Sequence, residues 1–261
     1  MEMKTNLLLL LLLPFFFVSC VSLGRPTLPE KPKHREPAKG SKTYKPVGEW
    51  EVRNLNDLKP AVAQGATATM KDGVITLDLK GNKIDGSKQK GDGGQSEDQT
   101  PMLRARVPLI VKGGFVENNK NALVFYAPNS GVVQMTWLNI GEDAVATHDG
   151  AKNFLVDGCE FLNSGNGDKS IQLNEADGAI VRNNLIYGGI TGARIGKIDY
   201  SAKTDVAECA NNTFIGTDTA WGVGKIKLRV TKKNDYRGVR LPFSTTAGAT
   251  ISNADGDVKT N

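Results

Sequence analysis

Five short segments of this chain are variations on one pattern. GGFVENN, MTWLNIG, CEFLNSG, NNLIYGG and NNTFIGT each carry an apolar or aromatic anchor close to a Gly, Asn or Ser turn. The anchors Phe115, Trp137, Phe161, Ile186 and Phe214 fall 22, 24, 25 and 28 residues apart. Strand-like runs precede the first four: LIV at 109–111, VVQM at 132–135, FLV at 154–156 and AIV at 179–181. No helical pattern of useful length interrupts them. Recurrence at this period, built from short strands, is the signature of a parallel β-solenoid. A leucine-rich repeat shares the period, but its LxxLxLxxN pattern is absent. A β-sandwich has turns as frequent as those found here, yet gives no reason for the motif itself to recur. In a solenoid, successive coils stack about 4.8 Å apart, and like positions form ladders. Phe161, Ile186 and Phe214 are expected to stack inside. Asn183, Asn184, Asn211 and Asn212 are expected in turns, where asparagine tolerates the left-handed conformation.

The flanking segments are of a different kind. Residues 1–19 hold Lys4, the apolar run Leu7–Val18, then Ser19 ahead of Cys20. That run is too short to span a bilayer and reads as the apolar region of an export signal. Phe17-Val18-Ser19-Cys20 fits a bacterial lipoprotein cleavage site, with Cys20 lipidated and the protein anchored to the cell envelope, at the outer membrane or cell surface. Residues 20–46, rich in proline and in Lys/Arg, form an expected extended, disordered tether. Its seven basic and two acidic residues account for the whole net charge of +5. The remaining domain, 47–261, is therefore neutral, which removes the argument for a nucleic-acid partner. Within it, GEWEV (48–52) is an expected strand and NLNDLKPAVAQ (54–64) a short helix interrupted by Pro60, together a cap on the solenoid's N-terminal end. VITLDL (74–79) alternates and reads as a strand. Ser87–Thr100 is a polar loop whose glycines lack the GKS/GKT and helix of a phosphate loop. AWGVGKIKLRV (220–230) reads as a half-exposed strand, and the tail from Ser244 is weakly patterned.

Cys159 and Cys209 belong to no metal-binding pattern and are expected to be free, buried thiols. His148 is the only histidine after the tether, so a histidine-based triad is excluded.

Within the repeat, GEDAV (141–145), GNGDKSIQ (165–172) and GARIG (192–196) place Asp143, Asp168 and Arg194 25 and 26 residues apart, one coil each. They are expected on one face, within about 10 Å end to end. Asp143 and Asp168, with Glu142 beside them, make a hard oxygen set suited to calcium. Lys169 shares that face only if a bend intervenes. Arginine and lysine beside such a set point to an anionic substrate, and β-elimination on an acidic polysaccharide is the chemistry open to it. A lysine of depressed pKa can act as base, whereas arginine stays protonated and stabilises the developing enolate.

GGQSEDQTPM (93–102), WLNIGEDAV (137–145), GDKSIQLN (167–174) and GARIG (192–196), in this order, resemble the pectate lyases of polysaccharide lyase family 3. The resemblance covers roughly residues 73–214. It implies an all-β, single-stranded right-handed parallel β-helix of the pectin-lyase-like kind with a short N-terminal cap. It implies a secreted, calcium-dependent enzyme that cleaves polygalacturonate by β-elimination. On it, Gly141–Ala144 matches the GEDA motif, Asp168–Lys169 the calcium ligand and catalytic lysine, and Arg194 the conserved arginine. Asp168, Asp143 and Glu142 are then the expected calcium ligands, and Lys169 and Arg194 the catalytic pair. Thr191 stands where the family has a second lysine, Lys197 follows Arg194 by three, and both are expected to touch substrate. Asn121 stands where the family has an aspartate one coil earlier. A monomer is expected. The competing reading is a non-catalytic β-helical envelope protein that binds acidic glycans, and Thr191 and Asn121 favour it.

Overall fold

A computed structural model of the protein describes residues 29–48, 50–88, 101–164, 168–197 and 201–253. The chain is all-β, a right-handed parallel β-helix. Its strands fall into three long sheets of nine, eight and eight strands, parallel except for one antiparallel edge strand. From Val74–Asp78 onward, each coil visits a first, a second and a third sheet in turn. One such coil is Leu155–Asp157, Glu160–Leu162, Lys169–Leu173, and the next is Ile180–Arg182, Leu185–Tyr187, Thr191–Ile195.

The ladder foreseen in the repeat runs through the second sheet. Trp137, Phe161, Ile186, Phe214 and Tyr236 are in register on successive coils. Trp137 stacks on Phe161 with ring centroids 4.6 Å apart and planes 5° from parallel. One anchor shifts: Val116, not Phe115, is the partner of Trp137. With strand side chains alternating in direction, one residue decides which face is buried. The pattern also extends further than the five segments. Ile84 precedes Val116 in the ladder, and the weakly patterned tail supplies two more strands, Leu241–Thr245 and Thr250–Asn253. AWGVGKIKLRV is divided between two sheets, Thr219–Val223 in the third and Lys227–Val230 in the first. Ile226, Leu228 and Val230 are buried while Lys227 and Arg229 face out.

The asparagine pairs split in role. Asn183 and Asn211 take left-handed φ angles of 58° and 54° at the corner before the second sheet. Gly113, Gln134 and Gly158 do the same at the equivalent corner of earlier coils. Asn184 and Asn212 instead point inward, buried in a ladder with Asn234.

The N-terminal cap is Leu55–Leu58 in a 3₁₀ turn followed by the helix Lys59–Ala63. Asn54 and Asp57 form a capping box, and Pro60 sits in the first turn, where a missing N–H is harmless. Proline starts this helix rather than interrupting it. Leu58 and Ala61 close the end of the core, and Thr67–Lys71 adds an antiparallel edge strand.

The described part of the tether is extended, as expected, but it is not free. Residues 29–47 run along the second sheet as a strap. Tyr187 Oη donates to the Pro29 carbonyl at 2.9 Å. The Arg35 amide donates to Glu160, and its guanidinium to the carbonyls of Met135 and Gly158. Thr43–Tyr44 pairs as a parallel strand with Lys83–Asp85, and Lys45 Nζ lies 2.7 Å from Asp85 Oδ2. The sheet face below Pro29 carries a small apolar cluster of Leu162, Tyr187 and Ile215. The strap thus offers hydrogen bonds and side-chain cover that a freely solvated tether would not have. Residues 1–28, with the export signal and Cys20, lie outside the described residues.

Cys159 and Cys209 are buried and unbridged. Burial pushes the Cys159 thiol up to about 12, so it is inert at neutral pH.

Candidate functional site

The three motifs meet on the third sheet, where Val145–Thr147, Lys169–Leu173 and Thr191–Ile195 are hydrogen-bonded neighbours. The coil period there is 26 residues and then 22, since Val145 pairs with Ile171 and Ile171 with Ala193. The even spacing of Asp143, Asp168 and Arg194 is therefore not the spacing of the ladder. The offset of 26 puts Asp143 opposite Lys169 rather than Asp168, and Lys169 pairs with Thr191. On the preceding coil the same position is Asn121, whose neighbour Ala122 donates its N–H to the Asp143 carbonyl.

The bend that Lys169 needs is present. Ser170 and Ile171 are consecutive and both fully buried. In the next coil Gly192 and Ala193 repeat this arrangement: a Cβ on Gly192 would fall 2.5 Å from the ring of core residue Phe214. Two successive inward residues break strict alternation and let the residues on both sides face out. Asn121, Asp143, Lys169, Thr191 and Thr219 thus form one outward column. A second column, three residues on, is Arg104, Val124, Ala146, Gln172, Arg194, Gly222 and Ser244, in register throughout.

Between the columns lies a groove of about 600 Å³. All the expected site residues except Thr191 line it, Lys197 among them. Thr191 lines an adjoining recess that shares Lys169 and Arg194. The carboxylates do not gather at one point. Lys120 Nζ is 2.8 Å from Glu142, and the Asn121 amide donates to Glu142 at 3.4 Å. Asp168 is ion-paired with its neighbour Lys169. Asp143 keeps one buried oxygen, Oδ1, with no hydrogen-bond partner. Among the described residues no three His, Cys, Asp or Glu side chains converge as a metal-binding group. Asp143 and Glu142 alone supply fewer oxygens than a calcium ion takes.

The electrostatics follow from burial. Burial pushes the Asp143 carboxyl up to about 6; Lys169 opposes the shift and Glu142 adds to it. Burial likewise pulls the Lys169 ammonium below the usual lysine range, with Asp143 opposing and Arg194 adding. A lysine with only 10% of its side chain exposed beside a second cation is a candidate base.

Three groove residues were missed by the sequence reading: Arg104, Tyr126 and His148. Tyr126 stacks on His148 at 5.5 Å, and the Arg106 guanidinium covers the tyrosine ring at 3.9 Å. Burial holds His148 below the usual histidine range, with Lys197 and Arg104 adding to the effect. Arg104 lies in a third-sheet strand and Tyr126 and His148 directly follow two others, a set of strands that the anchor alignment did not contain.

No family model matches this chain, and no solved structure matches it.

Proposed function

We propose that the chain is a polysaccharide lyase acting on polygalacturonate, the demethylated form of pectin, with calcium as its cofactor. One observation carries this reading: Lys169 stands largely buried beside Asp143 and Arg194, in a groove also lined by Lys197 and Arg104. Cationic side chains along a groove suit a linear anionic polymer. Calcium, when bound, would neutralise the uronate carboxylate and acidify the proton on the adjoining ring carbon. Lys169, in its neutral form, takes that proton. The C–H electron pair becomes the new ring double bond, and the glycosidic oxygen leaves, to be protonated by water. Arg194 binds and orients the uronate and stabilises the negative charge that develops on it. It also keeps Lys169 deprotonated more readily by repelling a second positive charge. Asp143 and Glu142 are the side chains that would hold the ion. Asp168, half-exposed and paired with Lys169 through Oδ2, would join them through its other oxygen.

The test is the ultraviolet absorbance of the unsaturated product, with polygalacturonate and calcium and again with chelator. Absence of product with calcium overturns the reading for this substrate. Lys169→Ala should lower kcat by about 10²–10⁴-fold, the usual contribution of a general base. The rate should rise with pH as Lys169 loses its proton. Arg194→Gln removes one cause of the depressed lysine pKa, so the same rise should move to higher pH. A limb unmoved by Arg194→Gln would remove Lys169 as the base.

A second reading, a non-catalytic glycan-binding envelope protein, is favoured by one observation: the expected calcium carboxylates are spread between Lys120, Asn121 and Lys169 instead of converging. Groove binding without product would support it.

A further inference from the structure

Charged side chains of both signs line the groove, but the middle of its floor is uncharged. There the central column runs Val124, Ala146, Gln172 between Arg104 and Arg194. Val124 and Ala146 are short and almost fully buried, so the floor is low and apolar beneath them. Gln172 is half-buried and alternates with the inward Ile171 and Leu173, which stands its amide in the groove. Two side-chain amides line the groove, and they differ. Asn121 is committed: its Nδ2 donates to Glu142 and its Oδ1 accepts from the Asp143 N–H. The Gln172 amide has no hydrogen-bond partner among the described residues. Tyr126 offers a ligand no ring face, because Arg106 on the coil before covers one side and His148 on the coil after covers the other.

The neighbour of Gln172 explains why an amide suits this position. Gln172 and Arg194 are register partners on adjacent coils, about 4.8 Å apart. A carboxylate at 172 would pair with Arg194 across the strands and withdraw it from an anionic ligand. A lysine would donate and never accept. The amide leaves the guanidinium to the ligand and offers a donor and an acceptor side by side. Two neighbouring ring hydroxyls, one accepting and one donating, complete that pair. We propose that Gln172 is a specificity-determining residue: it reads the adjacent hydroxyls O2 and O3 of a uronate whose carboxylate lies on Arg194, so the groove selects polymer free of O-acetyl groups. This rests on the reading of the groove as a polyuronate site and adds what it reads besides charge. Acetylation leaves the uronate carboxylate untouched, so charge alone gives no such selection. It does remove the hydroxyl proton, which leaves the Gln172 carbonyl desolvated with no donor.

Calorimetric titration with calcium chelated measures binding without turnover. The two ligands are a short galacturonate oligomer and the same oligomer acetylated at O2 and O3. The protein should bind the unmodified oligomer at least about ten-fold more tightly, as expected for two hydrogen bonds. Gln172→Met keeps the length of the side chain and removes the amide. It should weaken the unmodified oligomer about ten-fold and the acetylated one by less than about two-fold. Gln172→Ala is the second variant should the first misfold, with the same expectation. Gln172→Glu should capture Arg194 and weaken both ligands. A Met or Ala variant that weakens both ligands alike, or neither, overturns the proposal, as does a Glu variant that binds like the unaltered protein. If the proposal is overturned while unsaturated product still forms with calcium, the hydroxyl selection falls and the lyase stands. Selection without product keeps the role of Gln172 and removes the lyase. Failure to bind either oligomer removes both.

Discussion

Asn212 is fully buried, and both polar atoms of its side chain are used. Its Oδ1 accepts from the Asn184 backbone N–H at 3.2 Å and side-chain amide at 2.9 Å. Its Nδ2 donates to the Val181 carbonyl and to Asn234 Oδ1, each at 3.0 Å. Asn212→Leu is close in volume yet strips partners from several groups that cannot reach water. Chemical denaturation should show a loss of roughly 2–4 kcal/mol. Asn183→Ala, one coil away and exposed, should cost about 1 kcal/mol through its left-handed backbone. The sequence offers both residues as the same doublet, and nothing local separates them; only the direction each side chain takes at the corner does. The site was legible in the same incomplete way. Residue type and spacing singled out Asp143, Asp168 and Arg194, and the family resemblance added Lys169; all four share one groove. The spacing argument was misleading in detail, since coils of 26 and 22 residues pair Asp143 with Lys169. The inward pair Ser170-Ile171 that turns Lys169 outward has no pattern of its own.

At the level of elements, strands that bury a large anchor were readable and those that expose function were not. The second-sheet strands carry aromatic and aliphatic residues in a fixed position. The third-sheet strands spend their outward positions on the groove, so VAT, KSIQL and TGARI share little, not even length. The strap was misread for a reason of energy rather than pattern. Its composition is that of a disordered chain, and it has no apolar period, but the sheet it lies on supplies its partners. Lys45 and Asp85 tie down its C-terminal end. Burial acts to raise the Asp85 pKa, but Lys45, the Ser87 N–H and Asn118 outweigh it and leave the carboxyl well below the usual range. A carboxyl depressed in the folded state adds stability above its unfolded pKa and loses it as pH falls through the folded value. Docking of the strap should thus be constant at neutral pH and weaken only in strong acid. Asp85→Asn should remove that acid dependence and loosen the strap at pH 7. Hydrogen exchange at Thr43 and Tyr44 is the measurement, and unchanged protection there would show that backbone pairing alone holds the segment.

Across the whole molecule, charge and shape are distributed by face. The strap puts the exposed Lys31, Lys33, Lys39, Lys42 and Lys45 along the second sheet, and the groove occupies the third. An anionic surface met by the strap leaves the groove open. The strap also sets a leash. Were Cys20 free of the domain up to residue 46, an anchored protein could range about 90 Å from its lipid. With Pro29 held at Tyr187, only nine peptide steps remain, about 30 Å when fully drawn out. A lipid on Cys20 would keep the C-terminal coils nearest the bilayer and confine the groove to a thin shell above it. Energy transfer from a dye on Lys232→Cys to a bilayer acceptor should therefore be strong, and should fall when Arg35→Ala and Lys45→Ala together release the strap. Equal transfer in both forms would mean that the leash is not shortened. A groove so tethered would meet only polymer that reaches the surface and leave what floats beyond to others.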